Sequence, residues 1–134
     1  MGTRFRIDTD HDVVVAHGSG IVHASEIVEC AHDQCDDPQF VASRNILWDL
    51  RDARLLVEYD DIKPLIKQLD ELPTRSVPHR VAWLVSSDLT RMLTRLFERM
   101  SVDSPVEYRS FDSLENVREW LALPGDFEPS GNEG

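Results

Sequence analysis

Cys30, His32 and Cys35 place two thiols and an imidazole within six residues, a set that could hold a metal or run redox chemistry. The spacing is not the Cys-x-x-Cys of zinc ribbons, and no second ligand pair follows it. The two cysteines fall in an acidic, helix-like segment, where they point in different directions and where thiolate is disfavoured. The spacing therefore favours two structural thiols, with no metal and no cofactor. Histidines at 11, 17, 23 and 79 are scattered, with no i, i+4 pair and no His-Glu-x-x-His set. His11 lies between Asp10 and Asp12 in a turn, where the carboxylates could act on its protonation. Ser86 and Ser87 supply hydroxyls, but no Gly-x-Ser-x-Gly elbow surrounds them. No catalytic constellation emerges, and the expectation is a protein that is not an enzyme.

The elements that would position these groups follow from hydropathy period and turn chemistry. Residues 4–8 alternate, with Phe5 and Ile7 on one face, and residues 13–17 form a β-branched run after the polar turn Asp10-His11-Asp12. Gly18-Ser19-Gly20 is expected to break that second strand. Ala24, Ile27, Val28, Ala31 and Cys35 recur at helical spacing until Asp36-Asp37-Pro38 stops them. Residues 45–50 read as a buried strand. The next helix carries Ile62, Leu65, Ile66, Leu69 and Leu72; Pro64 belongs in its first turn, which makes Asp60 or Asp61 the N-cap and Pro73 the end. Residues 81–85 form another strand, and Ser86-Ser87-Asp88 caps a helix with Leu89, Met92, Leu93, Leu96, Phe97 and Met100 on one stripe. A strand over 106–111 follows. A closing helix carries Leu114, Val117, Trp120 and Leu121, capped by Asp112 or Ser113.

The order ββαβαβαβα predicts an α/β fold: a mixed sheet of about five strands, parallel at its centre and covered by helices. Residues 1–123 make one domain, and 124–134 have little to bury and are expected to form a flexible acidic tail. With 14 Lys+Arg against 25 Asp+Glu the net charge is −11, which argues against nucleic acid and anionic membrane as partners. No apolar run approaches the roughly 20 residues of a membrane span. The N-terminus lacks the apolar core of a signal peptide, so the expected location is the cytoplasm.

Three stretches resemble the SpoIIAA-like family of small bacterial proteins, related in fold to STAS domains and the SEC14 lipid-binding domain. They are Asp37-Pro38-Gln39-Phe40 leading into Leu47-Trp48-Asp49-Leu50-Arg51-Asp52-Ala53, then Arg80 to Asp88, and Val106 to Phe111 with Glu119-Trp120-Leu121. They span about residues 4 to 123. STAS proteins that antagonise anti-sigma factors carry a phosphorylatable serine entering the helix after the third strand. Here residues 55–62 contain no serine, and Asp60 and Asp61 stand where phosphate would arrive.

The resemblance implies a regulatory or protein-interaction module, expected as a homodimer or bound to another protein. In open parallel sheets ligands sit beyond the C-terminal strand ends, which points to a rim of Asp49, Arg51, Ser86, Ser87 and Asp112. Each of these residues also has a plain structural use as an ion pair or helix cap. Arg91, Arg95 and Arg99 are spaced by four and form a basic ridge that could dock an acidic surface, or simply face solvent beside Glu98. A second reading is a small carrier for an apolar or amphipathic ligand, held in a pocket between the last two helices lined by Trp83, Met92, Phe97, Met100 and Trp120.

Overall fold

The computed structural model describes residues 2–72 and 78–129. Its elements are β1 (Thr3–Asp8), β2 (Val13–His23), α1 (Ala24–Cys35), β3 (Asn45–Leu56), α2 (Tyr59–Asp70), β4 (Arg80–Val85), α3 (Asp88–Met100), β5 (Glu107–Phe111) and α4 (Leu114–Trp120). The strands lie side by side in the order β1-β2-β3-β4-β5. β1 pairs antiparallel with β2, and every later pair is parallel, as the alternation of strand and helix predicts.

Strand alternation divides the core into two layers. On one face Val14, Ala16, Ile46, Trp48, Val81, Trp83 and Tyr108 meet the buried sides of α1, α2 and α3. On the other, Val13, Val15, Leu47, Ala82 and Leu84 are covered by Val117 and Leu121 of the α4 region together with Phe127. α3 and α4 thus lie on opposite faces. The pocket expected between them does not form: Trp83 and Phe97 are core residues beside Met100, Met92 is 53% exposed, and Trp120 packs in the other layer.

β2 does not stop at its glycines. It bulges between His17 and Ser19 and runs on to His23. A Cβ on Gly18 would come within 2.8 Å of Leu50 Cδ2, and Gly20 takes φ +66°. The glycines therefore admit a close approach and a bend within a continuing strand. β3 likewise outlasts its apolar run, because Ala53 and Leu55 keep facing inward between exposed Asp52 and Arg54.

α2 starts earlier than Pro64 implied. Its N-cap is Glu58, whose N–H donates to Asp61 Oδ2 at 3.3 Å, so neither Asp60 nor Asp61 caps it. Three carboxylates at the positive end of the helix dipole favour this early start, and Pro64 sits inside the helix on its exposed side. The helix closes at Glu71, and Pro73 lies outside the described residues. On α3 the buried positions are Thr90, Thr94 and Phe97, a stripe rotated from the apolar one, which leaves Leu89 and Met92 on the surface. Hydrogen bonding satisfies these inward threonines: Thr90 Oγ1 accepts from Leu55 N–H at 3.4 Å and from Ser87 Oγ at 3.0 Å, and Thr94 Oγ1 donates to the Arg91 carbonyl at 3.1 Å.

Residues 124–129 correct the expectation of a mobile tail. Phe127 is 4% exposed in the second core layer, its ring meets His11 edge-on at 5.2 Å, and its carbonyl accepts from Arg118 Nε at 2.9 Å. Because α4, the one described helix on this face, is short, a single aromatic is enough to recruit the chain beyond it. Phe127→Ala is expected to cost about 2 kcal/mol, below the usual core loss because the segment can relax. An unchanged urea midpoint would show that the segment does not hold the sheet.

Candidate functional site

The rim residues do not converge on one site. Asp49 is 7% exposed and lies in the first half of β3, not at its end, and it accepts from Arg51 through Nε at 2.9 Å, Nη2 at 2.8 Å and the backbone N–H at 3.2 Å. His17, its neighbour on β2, stands 3.8 Å from the same carboxylate. Burial works to raise the Asp49 pKa, but the Arg51 hydrogen bonds and charge outweigh it and hold the carboxyl below its ordinary 3.8. The same pairing raises the Arg51 pKa. His17 Nε2 lies 3.1 Å from the Pro129 carbonyl, which also accepts from Arg6 at 3.1 Å. The 124–129 segment is thus laid over this cluster, and Asp49 and Arg51 are committed to each other.

The serines are spent locally. Ser86 Oγ donates to the Arg51 carbonyl at 2.8 Å, and Ser87 caps α3, accepting from Thr90 N–H at 3.1 Å. Burial pushes the Cys30 thiol up to about 11, so it stays protonated at neutral pH. Among the described residues no group of three His, Cys, Asp or Glu side chains could hold a metal ion. Elsewhere His11 pairs with Asp8 at 2.9 Å rather than with its flanking aspartates; burial opposes ionisation of Asp8, but the His11 contacts lower its pKa.

Asp112 belongs to a different place, the β5 edge of the sheet. There a groove of about 570 Å³ runs between α3 and α4 with β5 along it, lined by Arg80, Arg91, Arg95, Arg109, Phe111 and Trp120 among others. Arg91 is pinned by Asp88 at 2.9 Å and Asp112 at 3.6 Å. Arg80 pairs with Glu107 at 3.3 Å and donates to the Trp120 carbonyl at 2.7 Å. Its guanidinium lies 5.0 Å from the Trp120 ring, and that of Arg109 lies 5.9 Å from it. Arg95 and Arg109 have no carboxylate partner among the described residues.

The basic ridge is therefore divided. Arg91 and Arg95 enter the groove, whereas Arg99 is exposed and lies outside it. The sequence reading missed Arg80, Arg109, Phe111 and Trp120 as companions of the ridge. The available signal was Arg109 on an alternating strand one position before Ser110, with the aromatic pair Phe111 and Trp120 close behind in sequence. It also read Glu98 as a surface neutraliser, but the Glu98 carboxylate accepts from Ser110 N–H at 2.7 Å.

No family model and no curated protein matches the chain. Among solved structures it is similar to an uncharacterized protein of the DUF3478 family, with a SpoIIAA-like fold, from Shewanella loihica PV-4. The TM-score is 0.55 at 17% identity, over 90% of this chain and 94% of that one. No helix among the described residues is long and apolar enough to cross a membrane. At 17% identity the likeness carries architecture alone: the chain has a SpoIIAA-like fold.

Proposed function

We propose that this chain is a protein-interaction module that works by binding, without turnover of its own, and that its binding surface is the arginine groove along β5. One observation carries the reading: among the described residues Arg95 and Arg109 have no carboxylate partner and stand beside Phe111 and Trp120, on a chain of net charge −11. Where carboxylates are in such excess, two unpaired guanidiniums are a local positive field suited to an acidic segment. The remaining acidic surface repels nucleic acid, which keeps a protein as the preferred partner. Ser86 and Ser87 serve the backbone and Cys30 stays protonated, which supports binding over nucleophilic chemistry. The absence of serine in residues 55–62 supports a module that is not switched by phosphorylation there.

The test is titration of the chain with a short peptide alternating glutamate and threonine, read by the fluorescence of Trp120. Arg95→Glu with Arg109→Glu is expected to weaken binding at least about tenfold, the scale of two reversed charge pairs. Equal binding by wild type and double variant overturns the reading. Light scattering that gives twice the 15.3 kDa mass, lost in the same variant, identifies the acidic partner as a second copy.

The carrier reading has less support. The apolar cavity between the helices and the first core layer, lined by Ile27, Leu65, Trp83 and Phe97 among others, holds about 20 Å³, room for one water. An apolar ligand retained in native mass spectrometry would favour the carrier instead.

A further inference from the structure

Building on the groove reading, we propose that β5 takes up an extended acidic segment of a partner protein as an added strand, and that Glu98 occupies the strand's place until it arrives. β5 is the outer strand of the sheet. The Glu107 N–H donates to the His79 carbonyl at 3.0 Å, which sets the ladder's phase. Residues 107, 109 and 111 then direct their backbone groups to β4, while Tyr108 and Ser110 direct theirs outward.

The outward Ser110 N–H donates to Glu98 Oε2 at 2.7 Å, and the Ser110 hydroxyl bonds to the same oxygen. A helix side chain thus supplies the acceptor that a neighbouring strand's carbonyl would supply. Charge on or over an edge is a common guard against unwanted pairing. Here the guard stands in a groove whose walls suit a strand. α3 brings Arg91 and Arg95 along one side, and α4 brings Trp120 along the other. An added strand would set alternate side chains toward each wall. Side chains on the α3 side of the strand would meet Arg91 and Arg95, and those on the other side would meet Arg109 beside Phe111 and Trp120. The occupant is acidic because, among the described residues, the groove's unpaired guanidiniums, Arg95 and Arg109, outnumber its unpaired carboxylate, Glu119, and its resident stand-in is already a carboxylate.

The experiment uses the glutamate–threonine peptide and a copy N-methylated at alternate amides, which keeps charge and loses one edge of backbone donors. Glu98→Ala leaves a helix-favouring residue and releases the Ser110 N–H, so it is expected to bind the parent peptide about tenfold more tightly, the scale of a charge-assisted hydrogen bond no longer in competition. Wild type is expected to bind the N-methylated peptide at least about fivefold more weakly than the parent. Unchanged or weaker binding by Glu98→Ala, or equal binding of the two peptides, overturns strand addition. If the Arg95 and Arg109 reversals still abolish binding in that case, the groove reading stands without it. If those reversals have no effect, the groove reading itself falls. Should Glu98→Ala fold poorly, the peptide pair on wild type decides alone.

Discussion

Trp83→Ala is expected to leave the chain close to its unfolding threshold, with a loss of about 4 kcal/mol. Domains of this kind hold a total of about 5–15 kcal/mol, so the variant is expected to be partly unfolded at 37 °C. Trp83 is 2% exposed at the centre of the sheet. Its ring stacks on Trp48 at 5.9 Å and on Tyr108 at 6.2 Å, and meets Phe97 edge-on at 5.4 Å. Removing it empties the middle of an aromatic row that joins β3, β4, β5 and α3. Trp83→Phe is expected to cost far less, about 1–2 kcal/mol, since Nε1 is buried without an acceptor among the described residues and phenylalanine removes that orphan donor. Urea unfolding of the two variants checks both values. Equal losses would mean that ring stacking contributes little.

Asp49→Ala is expected to cost about 2–3 kcal/mol, because it strands Arg51 and His17 beside a buried position and removes three hydrogen bonds. The part due to charge has a sign that pH reveals. The folded-state pKa lies below the ordinary 3.8, so the ionised carboxyl adds stability in full above that value. This contribution is lost as pH falls through the folded pKa. In Asp49→Asn the titration is absent, so the stability gap between wild type and variant is expected to narrow as pH drops from about 5 to about 2. A gap that stays constant over that range would place the cost in packing rather than charge.

The architecture was legible because each element carried its own period. Phe5 and Ile7 marked an alternating strand, the 24–35 spacing marked a helix, and the apolar runs at 45–50 and 81–85 marked strands buried on both faces. What misled were residues whose role is set across the fold. The α3 stripe reads from Leu and Met, but Thr90 turns inward to accept hydrogen bonds from β3 and Ser87, and Thr94 is buried with its hydroxyl donated to the Arg91 carbonyl of its own helix. Gly18 reads as a breaker in sequence because its tight contact with Leu50 depends on register. Phe127, alone in a polar stretch, gives no periodic signal, and only the thin cover on the second face explains its burial.

The candidate site was legible by half. Spacing by four brought out Arg91 and Arg95, but the rim of Asp49, Arg51, Ser86 and Ser87 proved to be pairs and caps serving the fold. Arg109 and Trp120 lie on different elements, and sequence spacing gives no hint that both guanidinium and ring border one groove. Glu98 was hidden for the same reason: its partner Ser110 is reached only when α3 packs beside β5.

Two-dimensional amide NMR of the wild-type chain during titration with the acidic peptide bears most directly on where this protein binds. Perturbations are expected to concentrate at Arg95, Arg109, Ser110 and Phe111, growing with peptide concentration and fading with added salt. Perturbations gathered instead around His17, Asp49 and Arg51, or none along β5, would contradict the assignment of that edge as the binding surface.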